Sequence, residues 1–182
     1  MTLDTAAIIA ETRAWVDRAV IGLNLCPFAK AVQVKGQIRY VVCPASEPAE
    51  LLNTLCDELH RLAESDPQDV DTTLLIHPAA LTDFLDFNDF LAVADAAVEE
   101  HGYAGILQVA SFHPQFQFAD THINDVSNAT NRAPFPTLHL LRESSIDRAV
   151  AAFPEAETIF EANIETLENL GAEGWAALQA QC

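Results

Sequence analysis

Positive charge is scarce in this chain. Nine lysines and arginines face 27 aspartates and glutamates among 182 residues, for a formal net charge of −18 at pH 7. A surface this acidic repels phosphate backbones and anionic lipids, which argues against nucleic acid and membranes as partners. Long apolar runs are also missing, and no stretch approaches the length of a bilayer span. The N-terminus, MTLDTAAIIAETRAW, has neither a basic start nor an apolar core. No signal peptide is therefore expected, and the expected location is the cytoplasm. The four cysteines, Cys26, Cys43, Cys56 and Cys182, include no CxxC pair. That leaves a zinc ribbon and a dithiol redox motif without support, and in a chain this long they do not read as a disulfide framework.

What is present is a core. Half of the residues are hydrophobic, enough for one domain spanning 1–182 and too little chain for two comfortable ones. The few cations are unevenly placed. Residues 47–101 hold fourteen acids and one base, Arg61, and residues 143–182 hold eight acids and one base, Arg148. Residues 18–46 hold no acid and four bases, Arg18, Lys30, Lys35 and Arg39. Residues 102–142 are balanced, with Asp120 and Asp125 against Arg132 and Arg142. Either the acidic helices simply carry solvated faces, or the two cation-bearing segments fold together into a local positive pocket for a small anion.

Hydrophobic periodicity gives helices over 5–23, from Ser46 through Leu62, and from Thr82 or Asp83 to about His101. A short helix follows Ser144 or Ser145, and another is expected from Pro154 to Gly171, burying Ile159, Phe160, Ile164 and Leu167. The segment 24–36 reads as irregular. Strands are expected at Ile38–Cys43, Thr72–His77, Gly105–His113 and Thr137–Arg142. Alternating strands and helices imply parallel strands with right-handed crossovers. The expectation is an α/β fold: one mixed sheet of four strands, three parallel and one antiparallel, covered by helices.

Three of these strands end on a potential metal ligand followed by proline, at Cys43-Pro44, His77-Pro78 and His113-Pro114. Parallel strands would place all three at one sheet edge, where ligands bind in open α/β sheets. With Cys26 or Asp120 as a fourth donor they would suit a divalent metal such as zinc. Proline also ends strands merely because it cannot donate to the ladder. The long loop from His113 to Pro136 is the other candidate, because loops of this length inside compact domains are usually functional. It offers Asn128, Asn131 and Arg132, with His139 and Arg142 just beyond. The arginines suit a carboxylate or phosphate clamp, assisted by Lys30 or Arg39. Cys26, in the acid-free segment, is a candidate nucleophile with His113 as its acid/base partner.

The stretches LNLCPFAK, LQVASFHPQFQFAD and NATNRAPFPTLHLLRESSIDRAV resemble domain of unknown function 1415, a family of bacteria and plastids. The resemblance spans nearly the whole chain and implies no particular activity. It gives weight to Cys26, His113, Asn131, Arg132 and Arg142, which lie in the matching motifs, and less to Cys43 and His77, which do not. Within DTHINDV, His122 stands where relatives tend to be acidic. The first functional expectation is an enzyme acting on a small anionic metabolite, with the arginines holding the anion, His113 as acid/base and Cys26 as nucleophile or metal ligand. The second is a non-catalytic module that binds a metal or a metabolite. The third is an interaction domain whose acidic helices meet a basic partner. The sequence carries no indication of oligomeric state.

Overall fold

The computed structural model describes residues 4–153 and 155–182. The chain runs α1 (Thr5–Trp15), a π-helical stretch (Val16–Ile21), α2 (Ala29–Val34), β1 (Ile38–Val42), α3 (Pro48–Glu64) and β2 (Thr72–Ile76). It continues with α4 (Phe84–Glu100), β3 (Leu107–Phe112), a 3-10 turn (Val126–Asn131), β4 (Thr137–Arg142), α5 (Glu143–Ala152) and α6 (Ile159–Gln179). Local chemistry accounts for many of the boundaries. Asp83 caps α4 by accepting the backbone N–H of Leu85 at 2.8 Å. Pro48 opens α3 at a first-turn position, where a missing N–H costs nothing. Gly102 follows α4 with φ +76°, the left-handed stop that glycine adopts freely.

Two expectations about helices change. The segment 24–36 is not irregular throughout, since it contains α2. The helix expected over 5–23 loosens into π winding at Val16, which is common near functional sites. The expected helix start at Pro154 lies outside the described residues. Beyond it, Phe160 is exposed rather than buried, and Gly171 interrupts α6 with φ +72°.

The sheet order is β1-β2-β4-β3. Only β1 and β2 pair in parallel. The sheet therefore has two parallel strands rather than the three expected, because β4 inserts between β2 and β3 and pairs antiparallel with both. The insertion has a physical basis in side-chain composition. Leu138 and Leu140 on one face of β4 are fully buried, and a strand apolar enough to be covered is most stable in the sheet interior. Two antiparallel steps restore the direction of β3, so the ends of β1, β2 and β3 still lie at one edge.

One sheet face carries α3 and α4. Leu51, Leu55, Leu59 and Phe87 are fully buried there against Leu75, Leu138 and Leu140. Each such side chain contributes about 1.5–3 kcal/mol by leaving water. The opposite face carries α1, the π segment, α6 and the 3-10 turn around Trp15, Leu74, Leu167 and Trp175. Among the described residues no helix is long and apolar enough to cross a membrane.

Arg142 and Arg39 bind α3 to the sheet. Arg142 is 7% exposed, and the two N–H groups of its Nη2 are shared among the carbonyls of Leu62, Ser65 and Val70, at 2.6, 2.7 and 3.0 Å. It closes the C-terminal end of α3, whose last carbonyls have no helical partner. Arg39 grips Glu58 of α3 bidentately, at 2.7 and 3.0 Å. Arg142→Leu should lose about 3 kcal/mol of stability in urea unfolding, because it strands three acceptors on a charged donor's site. A loss under about 1 kcal/mol would show that water replaces the guanidinium without cost.

Candidate functional site

The sheet edge that carries the three proline-terminated strands brings two of the three expected ligands together. His77 and His113 both lie fully buried against the ring of Phe87, at centroid distances of 5.7 and 5.1 Å. Their nitrogens serve the backbone. His77 Nδ1–H donates to the Ala80 carbonyl at 3.0 Å, and His113 Nε2–H donates to the Leu81 carbonyl at 3.3 Å. His113 Nδ1 in turn accepts from the Gln115 N–H at 3.1 Å. Both imidazoles are thus neutral clasps on the turn that leads into α4, where Leu81 has φ +52°. Burial pushes the His77 pKa down to about 4 and lowers that of His113. His77 Nε2 keeps a sealed lone pair without a partner among the described residues.

Cys43 shares this face, but its sulfur lies 3.5 Å from the Thr54 hydroxyl on α3. Cys26 packs in the cluster on the other face of the sheet. Among the described residues no three of His, Cys, Asp and Glu converge to hold a metal ion. The zinc-type set of Cys26, Cys43, His77 and His113 is therefore not assembled. The pairing of Cys26 with His113 as nucleophile and base fails for the same reason. Strand alternation points His113 toward Phe84 and Phe87, while its neighbour Phe112 meets Trp15 on the side of Cys26.

The polar loop also turns its groups inward. Asn128 is fully buried; its Oδ1 accepts from the Phe118 N–H and the Thr121 hydroxyl, and its Nδ2 donates to the His122 carbonyl. Asn131 donates to the Ser111 carbonyl at 3.1 Å. Arg132 donates to the carbonyls of Phe116 and Ile123 at 3.0 and 2.7 Å. With Arg142 on three carbonyls and Arg39 on Glu58, all three arginines expected to clamp an anion are engaged by the protein itself. The physical reason is general. A long loop laid over a body must satisfy its own backbone, and arginine is well suited to several carbonyls at once.

Two expected residues do border open space. His139 alternates out of β4 into a cavity of about 340 Å³ between the sheet, the π segment, α2 and α5. Its walls are largely apolar and include Trp15, Val20, Phe28, Phe112 and Ile146. Cys26 lies in the same wall. The Thr72 hydroxyl donates to the Leu140 carbonyl at 2.6 Å. Having one proton, it must accept from His139 Nε2–H at 2.8 Å. That fixes the tautomer and leaves Nδ1 as an acceptor without a partner among the described residues. Burial pushes the His139 pKa down to about 4, and burial raises that of the Cys26 thiol. Cys26 is thus held as a thiol rather than a thiolate, which does not favour nucleophilic attack.

Helix α5 roofs this cavity and has no buried residue. It is fastened at its ends. Ser145 Oγ donates to Asp71 at 2.6 Å, and Phe153 meets Phe28 edge to face with centroids 6.1 Å apart. Trp15, Asp71, Thr72 and Ser145 also line the cavity, and nothing in the sequence marked them as site residues. Alternation places Thr72 and Leu74 on one face of β2, but their meeting with His139 requires the register Leu74↔His139.

Three imidazoles held neutral make stability depend on pH. Their folded pKa values lie below the ordinary value of 6.5. Their contribution is full above pH 6.5 and falls below it, that of His77 and His139 being lost as pH falls toward 4, because the unfolded chain takes up the protons first. The unfolding free energy in about 1 M salt, which screens the acidic surface, should begin to fall near pH 6.5. A flat profile from pH 7 to 5 would show that these imidazoles are not held neutral.

No curated protein and no solved structure matches the chain. A sequence model described as "Protein of unknown function (DUF1415)" matches residues 7–177. That span includes both faces of the sheet, the polar loop and the whole cavity wall, and the chain belongs to this family.

Proposed function

We propose that this chain is a small-molecule-binding protein whose ligand sits, by a mostly apolar body, in the cavity beneath α5. The observation that carries the reading is the cavity itself. A volume of about 340 Å³, apolar walls and a few convergent polar groups are the usual make-up of a small-molecule site. His139 Nδ1 supplies one acceptor at a fixed orientation. The aromatic rings of Trp15, Phe28 and Phe112 supply contact area.

Binding is favoured over turnover by the state of the two reactive side chains. The Cys26 thiol and the His139 imidazole share the wall, yet both are shifted toward their neutral forms and no hydrogen bond joins them. The small-anion enzyme expected of the loop has less support, because Arg39, Arg132 and Arg142 are already occupied.

Ala149, on α5, lines the cavity and is only partly buried, so a larger side chain can enter the space from the roof. An apolar naphthalene dye should bind the native protein saturably, and Ala149→Trp should weaken it about tenfold or more. The unfolding free energy of the variant should stay within about 0.5 kcal/mol of native. Dye affinity unchanged by the filled cavity would sink the reading.

A further inference from the structure

A second cavity, of about 460 Å³, adjoins the first, and Val32 and Asp71 line both. Its character is opposite. Two cations, Lys35 and Arg148, and two carboxylates, Asp66 and Asp71, stand around it. Lys35 has no ion-pair partner among the described residues. Asp66 accepts the backbone N–H of Gln68 at 2.8 Å and is otherwise open to water. Asp71 and Arg148 meet only at 4.0 Å, with Ser145 between them: Arg148 Nη2 donates to Ser145 Oγ at 2.9 Å. The polar cavity is thus balanced in sign and holds one cation and one carboxylate not paired with each other.

An apolar cavity with a polar one beside it, sharing Val32 and Asp71 in their walls, is matched by an amphiphile. The sign of the head follows from charge complementarity. An anionic head would meet Lys35 but face Asp66 and Asp71, and the chain's net charge of −18 opposes its approach. A cationic head would meet Asp66 but face Lys35 and Arg148. A head carrying both charges finds a partner for each and is indifferent to the net field.

We infer that the ligand is an amphiphile with a zwitterionic head. Its apolar body lies under α5, and its head lies among Lys35, Arg148 and Asp66. This inference rests on the cavity reading above. The test uses four probes with the same decyl tail, each below its micellar concentration: a betaine, a carboxylate, a trimethylammonium and an alcohol. Binding is read by Trp15 fluorescence, with Trp175 replaced by Phe. The betaine should bind about tenfold more tightly than the other three. Lys35→Gln and Asp66→Asn should each weaken the betaine about threefold and leave the alcohol unchanged. Equal binding of alcohol and betaine, or tighter binding of either singly charged probe, overturns the zwitterionic head and leaves the cavity reading standing. Binding by none of the four overturns both.

Discussion

Strand β4 lies hydrogen-bonded to β2 on one side and to β3 on the other, and both faces of the molecule depend on that position. Its side chains alternate. Leu138, Leu140 and Arg142 go to the face of α3 and α4, where the leucines are fully buried and the arginine closes the end of α3. His139 and Leu141 go to the other face and line the cavity. A slip of one residue would exchange the two sets, carrying a guanidinium into an apolar cavity and leucines away from the core. The register is therefore held by the cost of burying the wrong groups on each face.

The chain's small number of cations makes their use informative. Three of the nine are committed to holding the fold: Arg39 to one carboxylate, Arg132 and Arg142 to backbone carbonyls. Buried carbonyls at a helix end or under a long loop need donors, and a guanidinium reaches several at once. Histidine plays the same part at the turn before α4, where two neutral imidazoles each hold a carbonyl. Polar residues that look like a binding set in the sequence are, in these places, the means by which irregular backbone is buried.

The cavity arises where that pattern stops. On the face of α1 and α6 the sheet is covered closely near Leu167 and Trp175, and loosely toward α5. A helix without a buried side chain, fastened mainly through Asp71 and Phe28, belongs to the part of a structure that opens at low free-energy cost. The π winding at Val16–Ile21 forms the facing wall, with Val16 and Val20 turned to the space.

The sequence by itself determined the local elements and their faces. Runs of apolar and β-branched residues located the four strands, period-3.6 patterns located the main helices, Thr82 or Asp83 marked the start of α4, and the acid excess left few cations anywhere. These follow from interactions within a few residues, so they are written in short windows of sequence. Tertiary structure decided which strands are neighbours. The insertion of β4 depends on contacts between residues far apart in the chain, and no local window contains them. The same limit applied to the site. Cys26, His113 and the arginines shared the right chemistry in sequence, but side-chain direction on a strand alternates, and only the assembled sheet put His113 on one face and Cys26 with His139 on the other.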